Sequence, residues 1–133
     1  MIVVDSNVVA YLFLSGDHTP QARRVFQKDP AWVAPLLWRS EFRSVLGSYL
    51  RKGALALADA YQLMRTAEDL FRGAEYQVDS ARILDLVKRS RCSAYDCEFV
   101  ALAQELGIPL VTSDAVILTE FAPPAVSLDV YGR

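Results

Sequence analysis

An α/β sandwich built around a mostly parallel sheet is the fold class the sequence predicts. Two observations carry it: short runs of branched apolar residues alternate with longer segments of helical periodicity, and the breaks between them fall at Gly and Pro. Ile2, Val3 and Val4 read as a buried strand (2–4), and Val8, Val9 and Leu12 resume the apolar pattern at helical spacing, giving a helix over about 6–14. A helix follows at about 19–28, then a strand at 32–34. Gly53 separates two helical stretches at about 36–51 and 55–72. A short strand at 75–78 and helices at 80–90 and 94–106 come next. "GIP" at 107–109 ends the last of these and opens a strand at 109–112. A short helix at 115–119, Pro123-Pro124 and a final strand at 126–130 complete the order.

The 133 residues show no internal repeat, low-complexity tract or linker, which predicts a single domain over 1–133 with one sizeable core. Hydrophobic residues make up 53% of the chain, above the usual globular range, so some of that surface is expected to cover a partner. No apolar run reaches the roughly 18 residues of a membrane span, and the N-terminal strand pattern is not that of a signal peptide, so a soluble cytoplasmic protein is expected. Cys92 and Cys97 are too few and too close for a disulfide framework, and the single His18 lies far from both. They read as buried thiols in a reducing compartment rather than zinc ligands. A net charge of −2 excludes broad electrostatic adhesion to nucleic acid and leaves room for a local basic rim.

Four acids stand apart. Asp5 follows the first strand directly and Asp114 lies just past the strand of "LVTSD"; parallel sheets put ligand sites at such carboxyl ends. On a helical wheel, Leu37, Trp38, Phe42, Val45, Leu46, Tyr49 and Leu50 cover an arc of roughly 220°, and Glu41 falls inside it. Positions three and four away from Glu41 are Leu37, Trp38, Ser44 and Val45, none basic. Asp96, in "SAYDCEFVALAQELG" with its expected core stripe of Tyr95, Phe99, Leu102 and Leu106, likewise has Cys92, Ser93, Phe99 and Val100 at those offsets. By contrast Asp85 has Arg82, Lys88 and Arg89, the pattern of a solvated surface acid. Asp5, Asp96 and Asp114 also stand where acids cap helices, and Ser93-x-x-Asp96 is a capping-box pattern; capping does not account for Glu41 in mid-helix. One shared counter-ion accounts for all four, and a carboxylate-only donor set points to a hard cation, Mg²⁺ or Mn²⁺. Such a site activates water and neutralises charge building on a phosphodiester.

"VVDSNVV", "SEFRSVL" and "SAYDCEFVALAQELGIPLVTSD" together resemble a PIN domain over essentially the whole chain, and the length resembles the VapC-type toxins of toxin–antitoxin pairs. The resemblance implies a three-layer sandwich with a five-stranded, mostly parallel sheet, and divalent-metal-dependent endoribonuclease activity. It also implies RNA as substrate and a homodimer neutralised by a cognate antitoxin. It assigns Asp5, Glu41, Asp96 and Asp114 to the catalytic metal cluster, with Ser6, Asn7 and Thr112 as supporting polar residues. Ser44 and Ser113 depart from the family's common Asn and basic residue at those places. Arg39, Arg43, Arg89 and Arg91 are the candidates for contact with an RNA backbone. Tyr11, Phe13, Val25, Phe26, Leu55, Tyr61, Met64 and Phe71 are candidates for a dimer surface and an antitoxin groove. Two alternatives are a haloacid-dehalogenase-like phosphatase, which needs a second Asp where this chain has Asn7, and a catalytically inactive PIN-like or receiver-like module. A receiver needs a lysine where this chain runs Thr112-Ser113-Asp114.

Overall fold

Ile2–Val4 (β1), Trp32–Pro35 (β2), Glu75–Tyr76 (β3), Leu110–Val111 (β4) and Ala125–Val126 (β5) form one sheet in the computed structural model, which describes residues 1–133. The strand order is β3-β2-β1-β4-β5, and every pairing is parallel. The helices between and after them are α1 (Ser6–Phe13), α2 (Thr19–Lys28), α3 (Leu37–Arg51), α4 (Leu57–Leu70), α5 (Ser80–Lys88), α6 (Ala94–Leu106), α7 (Ala115–Glu120) and α8 (Leu128–Tyr131). The predicted α/β fold with a five-stranded parallel sheet is therefore present. β1 is central and wholly buried, as its unbroken apolar run requires. The chain adds β2 and β3 on one side of β1, then β4 and β5 on the other, so the strand order reverses there. In such sheets the crevice outside the strand ends at the reversal is where ligands bind.

Helix α6 packs against β1, β2 and β4 and against α5 at once. Phe99, Val100, Ala101, Leu102 and Ala103 are accordingly all buried. Ser93 caps its start by accepting from the Asp96 N–H at 3.1 Å, and Gly107 ends it at φ +67°, a left-handed conformation that suits Gly. Because the helix is buried nearly all round in mid-length, the expected stripe through Tyr95 is incomplete: Tyr95, in the first turn, is 63% exposed. The apolar arc of α3 is also narrower than expected. Trp38, Phe42 and Leu46 are buried, while Tyr49 lies open to solvent.

The final strand departs most from expectation. β5 stops at Val126, and residues 128–131 form a helical turn instead of continuing to 130. Ser127 causes this, its Oγ accepting from the Val130 N–H at 3.2 Å and so supplying a helix cap. Of the residues assigned to partner surfaces, Val25 and Phe71 are fully buried core instead, because α2 and α4 turn those positions inward.

Trp38 anchors the α3–α4 side. Its ring lies 4.6 Å from Phe71 and 6.1 Å from Phe42, and its Nε1 donates to Glu75 Oε2 at 2.7 Å. Phe42 has no exposed surface. Phe42→Ala is expected to lower unfolding free energy by about 3–5 kcal/mol, read from urea melts; a loss under about 1 kcal/mol would mean the aromatic cluster is not the core.

Candidate functional site

β1 ends at Val4, and Asp5 stays extended (φ −69°, ψ 154°) before α1 begins. Its N–H donates to Val111 O at 3.1 Å, joining it to β4. Although Asp5 sits at the N-cap position of α1, its carboxylate does not cap that helix. Oδ2 instead accepts from the Thr112 hydroxyl at 2.8 Å, across the reversal point of the sheet. Thr112 is wholly buried and also accepts the Asp114 N–H at 3.0 Å. Asp114 Oδ1 in turn caps α7, accepting from the Ile117 N–H at 2.9 Å. Glu41 reaches the same place from the middle of α3, its Oε1 accepting from the buried Ser6 hydroxyl at 2.8 Å.

Asp5, Glu41, Asp96 and Asp114 thus come from four separate segments and line one cleft of about 230 Å³, with Ser6, Asn7, Ser44 and Val45. No Lys or Arg lines it, and none of the four acids forms an ion pair. Burial pushes the Asp5 carboxyl above its usual range; the Thr112 hydroxyl pulls it back, while Asp96 and Asp114 push it further. Glu41 is raised by burial, against the pull of Ser6, and by Asp5, Asp96 and Glu98. Asp96 is raised by burial and by Asp114. Glu98, itself half-buried and raised by burial, does not line the cleft but adds to the repulsion at Glu41, a neighbour the sequence reading missed. The signal was available: Ala94, Tyr95, Ala101 and Leu102 at its helical offsets include no base.

The arginines stand elsewhere. Arg39 does not reach the cleft: Nε and Nη2 bind both oxygens of Glu75 at 2.6 and 2.8 Å, and Nη1 binds Glu68 at 2.8 Å. Glu75 is held below its ordinary range by Arg39. Arg89 pairs with Asp85 and Arg91 with Glu120, both on the surface. Arg43 is exposed and unpaired, but it does not line the cleft either. The reason for the α3 pair is geometric, since residues two apart on a helix point roughly 200° away from each other. Cys92 and Cys97 are buried free thiols, with Cys92 pushed up to about 11 by burial and by Cys97.

A family model described as PIN domain matches residues 2–121. The chain belongs to the PIN domain family. Among curated proteins, this PIN domain is 24% identical to Ribonuclease VapC3 of Pyrobaculum aerophilum over 123 residues, 90% of this chain and 94% of that one. Among solved structures it shares its fold with PAE2754 from Pyrobaculum aerophilum (TM-score 0.78, 17% identity, 98% of this chain and 92% of that one). A toxin–antitoxin complex from Klebsiella pneumoniae also shares the fold (TM-score 0.69, 19% identity, 96% and 98%).

PIN-domain nucleases generally use divalent metals, and the donor set of this PIN domain fits one. Carboxylate oxygens with no His or thiol among them suit a hard cation, and the mutual repulsion of the acids is unrelieved by any basic side chain. The acids line a common cleft without any three of them being drawn into a ready-made ligand cage.

The raised carboxyls carry a pH dependence. From the ordinary carboxylate range near about pH 4 up to the raised values, the metal-free folded chain binds more protons than the unfolded one. Stability from these groups is therefore highest at low pH and falls as pH rises through that window. Asp5→Asn is expected to raise metal-free unfolding free energy by roughly 1 kcal/mol at pH 7, with the gain shrinking towards pH 4. A variant less stable than the parent in urea at pH 7 would contradict this.

Proposed function

We propose that the chain is a divalent-metal-dependent endoribonuclease that hydrolyses RNA phosphodiester bonds in the cleft of Asp5, Glu41, Asp96 and Asp114. In this reading it is the toxin of a type II toxin–antitoxin pair, a single PIN domain acting in the cytoplasm. The observation that carries the chemistry is a gathering of four carboxylates at the carboxyl end of a parallel sheet with no cationic side chain among them. A phosphodiester is repelled from such a cleft unless a cation stands between. The four acids are the residues that would hold Mg²⁺ or Mn²⁺. When bound, the ion supplies an acidified water and neutralises charge on the phosphate.

The chain's own part is to position. Thr112 fixes Asp5, Ser6 fixes Glu41, and the cap of α7 fixes Asp114, so three carboxylates are held before any ligand arrives. Asn7 and Ser44 line the cleft with no side-chain partner inside the chain, and they present an amide and a hydroxyl to phosphate oxygens. The name of the Pyrobaculum relative supports ribonuclease activity, and the Klebsiella complex supports an antitoxin as partner. Leu57 and Tyr61, one turn apart and both more than half exposed on α4, offer apolar surface for that partner or for a second copy in a homodimer. No helix of the chain is long and apolar enough to cross a membrane.

The test is RNA cleavage by the purified protein with Mg²⁺ or Mn²⁺. Asp5→Asn and Asp96→Asn are each expected to lower the rate at least about 100-fold with the circular dichroism spectrum unchanged, and chelation to abolish cutting. Cleavage by folded Asp5→Asn at the parent's rate, or cutting that survives chelation, would refute the assignment.

A further inference from the structure

We infer that the pocket beside the acidic cleft, walled by Tyr11, His18 and Tyr49, is a nucleobase subsite that seats an unpaired base next to the bond being cut. The inference rests on the ribonuclease reading and adds to it how the substrate is gripped. Asn7 and Val45 line both the cleft and this pocket of about 280 Å³, so the opening of one lies beside the other with those two residues as their common wall. A single-stranded RNA whose phosphate lies at the acids would bring an adjoining base to that opening. The walls suit a base rather than a phosphate. No Lys or Arg lines the pocket, and the Tyr11 and His18 rings stack with centroids 4.5 Å apart at 33°. From α3 comes Tyr49, 36% exposed and paired with no other ring. Unstacked bases are held on such aromatic faces and read at their edges by polar groups. Asp17 supplies such a group, and its side chain is not hydrogen-bonded within the chain.

The pocket is also tied to the acids. The Tyr11 hydroxyl shares a hydrogen bond of 3.1 Å with Ser113 Oγ, between Thr112 and Asp114. Thr19 pins the loop that carries His18, its hydroxyl donating to Tyr11 O at 2.7 Å and accepting from the Gly16 N–H at 3.0 Å. An apolar segment of a protein partner is the competing occupant. The wall shared with the cleft and the unpaired polar edge favour the base.

Stacking tolerates any base, so removing the base reads the subsite better than changing it. The experiment uses a short single-stranded RNA with one mapped cleavage site and versions made abasic at each nucleotide flanking the bond. With the parent protein and Mn²⁺, one abasic position is expected to raise KM about tenfold, with kcat changed less. Tyr49→Ala and His18→Ala should each raise KM on the intact RNA by a similar factor and lose the abasic penalty, and Tyr49→Phe should restore it. A flanking abasic penalty that persists undiminished in Tyr49→Ala, or the absence of one in the parent, would overturn the subsite while leaving the ribonuclease standing. A parent that cuts no RNA would remove the ribonuclease reading, and the subsite with it.

Discussion

The hydrogen bond from Thr112 Oγ1 to Asp5 Oδ2 holds the architecture of the cleft together. It joins the ends of β1 and β4, the two strands between which the sheet's order reverses, and it lies wholly inside the protein. A carboxylate placed there without a donor would face several kcal/mol of desolvation. With Thr112 as donor, Asp5 is fixed to the sheet rather than to α1. The same hydroxyl oxygen receives the Asp114 N–H, so one threonine sets the relation between two of the four acids.

The cleft is where the chain works against its own stability. Three carboxyls are raised in one small space, and the side chains that relieve them are neutral hydroxyls. Elsewhere the same chain pairs its acids well, as the two-oxygen grip of Arg39 on Glu75 and the Asp85–Arg89 pair illustrate. Raised carboxyls crowded into one cleft with no base among them are the pattern expected of a functional site, where stability yields to chemistry.

Much of this was legible in the sequence, for local reasons. Helix α6 announces itself through Ser93, its apolar periodicity and Gly107, all within fifteen residues. Glu41 and Asp96 were legible by what is missing around them on their own helices, and Asp5 and Asp114 by their place at the ends of apolar strand runs. What was not legible depends on distance along the chain. Thr112 and Asp5 are 107 residues apart, and Arg39 finds Glu75 36 residues away. The end of β5 turned on Ser127, whose capping outweighed the alternation of Val126, Leu128 and Val130. Tyr95 misled because a helix buried on several sides no longer has a single stripe.

The helix-capping and hydroxyl contacts of the cleft have a further consequence, one of denticity. Asp5 commits Oδ2 to Thr112, Glu41 commits Oε1 to Ser6, and Asp114 commits Oδ1 to the first turn of α7. Glu41 and Asp114 each leave the other oxygen free of bonds to the chain, while Asp5 also feels the Ser6 backbone N–H. A cation content with one oxygen per carboxylate and water for the rest would leave these hydrogen bonds standing. A larger ion that takes carboxylates by both oxygens would compete with a strand-joining hydroxyl, a buried serine and a helix cap in turn. Discrimination between ions would then reside in the fold's own hydrogen bonds more than in the size of the cleft.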